Sequence, residues 1–112
     1  MNKRQYSAII ARFFELMDGP EKHLVAEVFT PHAVVVDDGH IHRGTAEILA
    51  WLAGAASEFE TTSTWLETRH VAEGTAVLQL LEGNFPGGAV ELTYTFGEDS
   101  AGLISTLTIS AE

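Results

Sequence analysis

Apolar positions in the first part of the chain recur at three- and four-residue spacing. Tyr6, Ile9, Ile10, Phe13, Phe14 and Met17 form one stripe, the pattern of an amphipathic helix. The stripe stops at Asp18-Gly19-Pro20, where glycine suits a helix end and proline suits the first position of a second helix. That second helix carries Leu24, Val25, Val28 and Phe29, and Pro31 closes it. Residues 33–37, rich in β-branched side chains, predict a short strand. Asp38-Gly39 predicts a tight turn, residues 40–43 a short returning strand, and Gly44-Thr45 the start of a third helix with Ile48, Trp51 and Leu52 inside.

After Gly54 the period changes from helical to alternating. Strands are predicted over 58–71, 76–85, 90–96 and 103–110, separated by turn signals at Glu73-Gly74, Pro86-Gly87-Gly88 and Glu98 to Gly102. Two-residue loops at Glu73-Gly74 and Gly87-Gly88 would set His70 opposite Val77 and Leu81 opposite Tyr94. One face then gathers Leu66, Thr68, His70, Val77, Gln79, Leu81, Leu92, Tyr94 and Phe96, joined by Leu103, Ser105, Leu107 and Ile109 of the last strand. The other face carries Trp65, Leu78 and Leu80 among polar residues. A slip of one residue would exchange the two faces.

The chain has 112 residues, which predicts a single domain over 1–112. Hydrophobic residues make up 46% of it, enough for a packed core. It has no cysteine, which removes disulfides, thiolate metal sites and a cysteine nucleophile. The formal net charge is −10, and beyond Thr45 the one cationic side chain, histidines apart, is Arg69. Nucleic acid requires clustered Lys and Arg, so it is not an expected partner, and an anionic membrane surface would repel the chain. No apolar run approaches the ~20 residues of a membrane span, and Arg12 interrupts the N-terminal apolar stretch as an amphipathic helix would. The expected setting is soluble and cytoplasmic.

The order of elements, with the segments Phe29-Thr30-Pro31-His32-Ala33-Val34-Val35-Val36-Asp37, His42-Arg43-Gly44-Thr45-Ala46-Glu47-Ile48 and Ala11-Arg12-Phe13-Phe14-Glu15-Leu16-Met17-Asp18, resembles the nuclear-transport-factor-2-like superfamily. It is most similar to the SnoaL-like polyketide cyclase and ketosteroid isomerase branch. The resemblance implies an α+β cone: helices packed in a curved antiparallel sheet, a pocket at the open end, and homodimers through the outer sheet face. Trp65, Leu78 and Leu80 would anchor that contact. The fold hosts enzymes and inert binders alike, so the site has to be argued from its residues.

Asp37 ends an apolar strand and alternates to the same side as Val35. Apolar surroundings disfavour a carboxylate's charged form, which suits a general base. In enzymes the chain resembles, an Asp at this position moves a proton beside a carbonyl. Two other readings are a turn cap at Asp38-Gly39 and an ion pair with Arg43. His42, at the implied pocket lip, is the candidate to orient Asp37 or a substrate. Steroid isomerases of the family stabilise an enolate with a Tyr and a protonated acid, and the matching positions here are Phe13 and Leu92. Neither can donate a hydrogen bond, so the electrophile is sought in Tyr94, His70 or Gln79.

Those five residues, with Trp51, Phe96 and Leu107, are the expected ligand lining. Trp51 alternatively packs beneath the sheet. His40-Ile41-His42, with His32 nearby, has two histidines on one strand face but lacks a third spaced ligand, so no metal is expected. The function implied is binding of a small, largely apolar organic molecule. It would be coupled to isomerase or cyclase chemistry on a carbonyl compound through Asp37 with no cofactor, or else to no chemistry in a module that kept the fold.

Overall fold

In a computed structural model, residues 4–111 are described. Helix α1 (Ala8–Asp18) leads into a 3-10 segment (Lys22–Val28), then strands β1 (Phe29–Asp37) and β2 (His40–Arg43). Helix α2 (Gly44–Ala53) and a 3-10 turn (Ala55–Ser57) follow. The chain ends in β3 (Thr61–Val71), β4 (Gly74–Gly83), β5 (Ala89–Glu98) and β6 (Ile104–Ala111). The six strands form one sheet in the order β2-β1-β6-β5-β4-β3. All neighbours are antiparallel except β1 and β6. Helices against one curved mixed sheet make an α+β fold of the nuclear-transport-factor-2-like cone type. Among the described residues no helix is long and apolar enough to cross a membrane.

Helix α1 begins where the Ser7 hydroxyl accepts the Ile10 N–H at 3.4 Å and ends at Gly19, as its glycine predicted. Its stripe buries Ile10, Phe13 and Phe14. The second predicted helix is instead a 3-10 segment, and Pro31 lies inside β1 rather than closing a helix. Proline is tolerated there because β1 shifts its pairing with β6 between Phe29 and Val34, so no ladder donor is lost. Asp38 (φ 51°) and Gly39 (φ 79°) make the predicted two-residue turn and pair Asp37 with His40.

The long hairpins differ in register from the expectation in two ways. The β3–β4 loop is Ala72-Glu73, with Val71 opposite Gly74, and Leu81 pairs with Val90 rather than Tyr94. Both slides are even, so β4 and β5 keep their predicted faces. The odd step comes from a bulge: Trp65 pairs with Gln79, Glu67 with Leu78, and Leu66 is the extra residue. On its N-terminal side, over residues 61–65, the faces of β3 exchange. Trp65 packs against the core, its indole N–H donating to Thr68 Oγ1 at 2.9 Å, and Leu66 is left 40% exposed outside. The outer-face assignment of Trp65 and the inner-face assignment of Leu66 are therefore both reversed.

The core is aromatic. Phe13 is fully buried, with its ring centroid 5.3 Å from those of Phe14 and Phe96, 6.1 Å from Phe29 and 6.3 Å from Tyr94, all near edge-on. Truncation there leaves a void that four rings must line. Phe13→Ala is expected to lower stability by about 3–5 kcal/mol in urea unfolding. A loss below about 1 kcal/mol would show that this cluster does not hold the helix in the sheet.

Candidate functional site

Pairing across the sheet arranges inward side chains in transverse rows. Asp37 of β1 lies beside Ile109 of β6, and Ile109 beside Tyr94 of β5. With neighbouring strands ~4.8 Å apart, Asp37 and Tyr94 stand two strands from each other across Ile109. All three line a cavity of about 360 Å³. Its floor and walls include the buried Phe13, Phe14 and Trp51, with Leu81, Val90 and Leu92 from the sheet. Its rim is formed by Asp18, Lys22, Ala55, Phe59, Thr61, Ser63, Phe85 and Pro86.

Asp37 is held by one specific partner. The indole Nε1–H of Trp51 donates to Asp37 Oδ2 at 3.0 Å. Local structure brings the two together: the tight turn after Asp37 sends β2 back into α2, where the Ile48, Trp51 and Leu52 stripe is buried against β1. Trp51 thus both packs and lines the cavity. Arg43 is not a partner of Asp37; its backbone N–H donates to Glu47 Oε1 at 2.7 Å at the start of α2. The second carboxylate oxygen, Oδ1, receives no hydrogen bond from the described residues.

Tyr94 is 8% exposed, and its hydroxyl has no hydrogen-bond partner among the described residues. Burial pushes its ionisation well above the ordinary phenol range, and the negative charges of Asp37 and Asp18 push it further. The phenol therefore stays neutral at physiological pH and presents an O–H donor to the cavity. At the rim, the Ser63 hydroxyl donates to Asp18 Oδ1 at 3.2 Å.

Of the expected lining, Phe13, Trp51, Leu92 and Tyr94 border the cavity. Phe96 and Leu107 do not. They share the next row with Val35, two residues further into the core, where the helices cover them. Gln79 is 2% exposed between Trp65 and Leu92 but lies outside the lining. His70 pairs with Thr75 at the far end of β3 and is exposed there, because the hairpin turns one residue earlier than expected and so moves its partner two positions from Val77. His42 also stands outside the cavity. Its ring lies 5.9 Å from the Trp51 ring, so it reaches Asp37 only through the indole. Among the described residues no three His, Asp or Glu side chains cluster as metal ligands would.

Sequence reasoning missed Asp18, Lys22, Phe59, Thr61, Ser63 and Phe85. Thr61 and Ser63 turn inward only because of the bulge at Leu66. Phe59 and Phe85, expected inside the strands over 58–71 and 76–85, lie instead in the connections just outside β3 and β4, where alternation no longer sets the side a residue faces.

The chain belongs to the SnoaL-like domain family, whose model matches residues 10–98. No curated protein matches the sequence. Among solved structures it is similar to a Sinorhizobium meliloti protein described as a candidate polyketide cyclase, at 29% identity, TM-score 0.86, covering 98% of this chain and 100% of that one. A Catenulispora acidiphila protein with a ketosteroid isomerase-like fold, solved with trimethylamine, shares 14% identity at TM-score 0.80, covering 95% and 86%. An epoxide hydrolase/cyclase-like enzyme of pyran ring formation in the polyether salinomycin shares 18% at TM-score 0.76, covering 93% and 88%. The last two likenesses are of fold alone.

The raised ionisation of Tyr94 has a measurable consequence. In the unfolded chain a phenol releases its proton near pH ~10, while the folded chain retains it. The native state then binds more protons, so this stabilising contribution is complete below pH ~10 and is lost as pH climbs above it. Urea midpoints of the wild type should fall between pH 9 and 11 more steeply than those of Tyr94→Phe. Parallel decline of the two proteins would contradict the burial of that hydroxyl.

Proposed function

We propose that the cavity binds a small, largely apolar carbonyl compound in the cytoplasm and moves a proton on it, with Asp37 as general base and Tyr94 as hydrogen-bond donor. The observation that carries this reading is the state of Asp37: Trp51 anchors Oδ2, while Oδ1 has no partner among the described residues in a cavity that also presents an unpartnered phenol. Oδ1 takes a proton from the carbon next to the carbonyl. The C–H electron pair becomes the enolate double bond, and the negative charge on oxygen receives the Tyr94 O–H. Returning the proton to a different carbon isomerises the substrate. Attack of the enolate carbon on a second carbonyl of the same molecule closes a ring: the π pair of that carbonyl passes to its oxygen, which takes up the proton held by Asp37. Aromatic and aliphatic walls exclude water from the enolate.

A second reading has its own support. Phe13 and Leu92 put apolar groups where the family's steroid isomerases carry donors, which suits a binding module without chemistry. Solvent-deuterium exchange into the α-carbons of 2-tetralone, followed by NMR, separates the two. Exchange above the buffer rate is expected, falling ~10²–10⁴-fold in Asp37→Asn and at least ~10-fold in Tyr94→Phe. Binding of the ketone without catalysed exchange would leave the module reading standing.

We also propose that the protein is a homodimer through the outer sheet face. Leu66, Leu78 and Leu80 support this, lying on the side that α1 and α2 do not cover. Light scattering should give twice the chain mass of 12.1 kDa, and Leu80→Glu should return it to the monomer. A monomeric wild type would refute the contact.

A further inference from the structure

The cavity rim contains an aromatic pair carried by two separate connections. Phe59 lies just before β3, and Phe85 lies in the connection between β4 and β5. Their ring centroids are 6.0 Å apart at 57°, and both rings line the cavity. The connections are tied together immediately beside the rings. The last rung of the β3–β4 ladder is Thr61 opposite Gly83. One residue further, the Glu60 N–H donates to the Asn84 side-chain Oδ1 at 2.9 Å, and the Asn84 N–H donates to the Glu60 carbonyl at 3.2 Å. Asn84 thereby extends the ladder by one rung, using its side chain where the strand has ended. The strands approach so closely there that a Cβ at Gly83 would overlap the Glu60 carbonyl oxygen.

We propose that Asn84 is a positioning residue that locks Phe59 and Phe85 into one aromatic clamp, and that this clamp selects ligands carrying a ring remote from their carbonyl group. Asp37 and Tyr94 sit at the cavity's inner row, and Phe59 and Phe85 at its rim. A ligand held by its oxygen at the inner row meets the clamp only if it extends past the first ring. Immobilised aromatic faces cost no further ordering when the ligand arrives, so the gain falls on the remote ring. The proposal takes only the ligand's orientation from the proposed function above and does not depend on catalysis.

Equilibrium binding of two ketones by calorimetry tests it, with no turnover measured. The probes are 2-tetralone, which ends short of the rim, and 6-phenyl-2-tetralone, whose added ring reaches it. Wild type should bind the longer ketone at least tenfold more tightly. Asn84→Ala, Phe59→Ala and Phe85→Ala should each remove most of that preference, and Asn84→Ala, which lies outside the lining, should change 2-tetralone affinity less than twofold. Asn84→Asp should restore it, since a carboxylate oxygen also accepts the Glu60 N–H. Amide hydrogen exchange at Glu60 should quicken in Asn84→Ala and recover in Asn84→Asp, a readout of the tie itself. Equal weakening of both ketones in Asn84→Ala, failure of Asn84→Asp to rescue, or a wild type that binds neither ketone or does not prefer the longer one would each overturn the proposal. Absence of catalysed exchange would instead count against Asp37 as a base and leave the clamp intact.

Discussion

Helix α1 carries Phe13 into the concave face of the sheet, where the rings of Phe14, Phe29, Tyr94 and Phe96 surround it edge-on. Each aromatic ring removes ~150–250 Å² from water, so the cluster dominates the apolar burial of a chain this small. A flat sheet could not bring β1, β5 and α1 to one point, so the cluster and the curvature of the sheet imply each other. The helix lies across one part of the cone, and α2 closes one side of it. The space that remains, between the end of α1 and the rows led by Asp37 and Leu92, is the cavity.

That origin explains the cavity's chemistry. A site left between aromatic core elements inherits their apolar walls, and the few polar groups within it become specific. Asp37 reaches it because β1 ends at the cavity's edge, and Trp51 reaches Asp37 because a two-residue turn and a four-residue strand return the chain directly into α2. The indole satisfies one carboxylate oxygen with a neutral donor. A guanidinium in the same place would bring a compensating positive charge and weaken a proton-accepting role. Tyr94 is neutral for the same reason the walls are apolar: burial and two nearby carboxylates oppose its ionisation. Family membership accords with this architecture without specifying its chemistry, since one fold carries many different sites.

Periodicity and turn residues alone determined the order of elements, the tight turn at Asp38-Gly39, the buried stripes of both helices and the inward faces of β4 and β5. These depend on local backbone preference and on a side-chain period of two, which even register slides leave intact. The family resemblance added the direction of Asp37. Tertiary structure alone decided the rest. The bulge at Leu66 exchanges the faces of β3, turning Trp65, Thr61 and Ser63 inward, and nothing in the residues 61–67 marks it. The partner of Asp37 and the pairing of Phe59 with Phe85 bring together side chains 14 and 26 positions apart in the chain. Such contacts are set by how strands stack into rows and where loops meet, and a pattern read along one dimension contains no term for either.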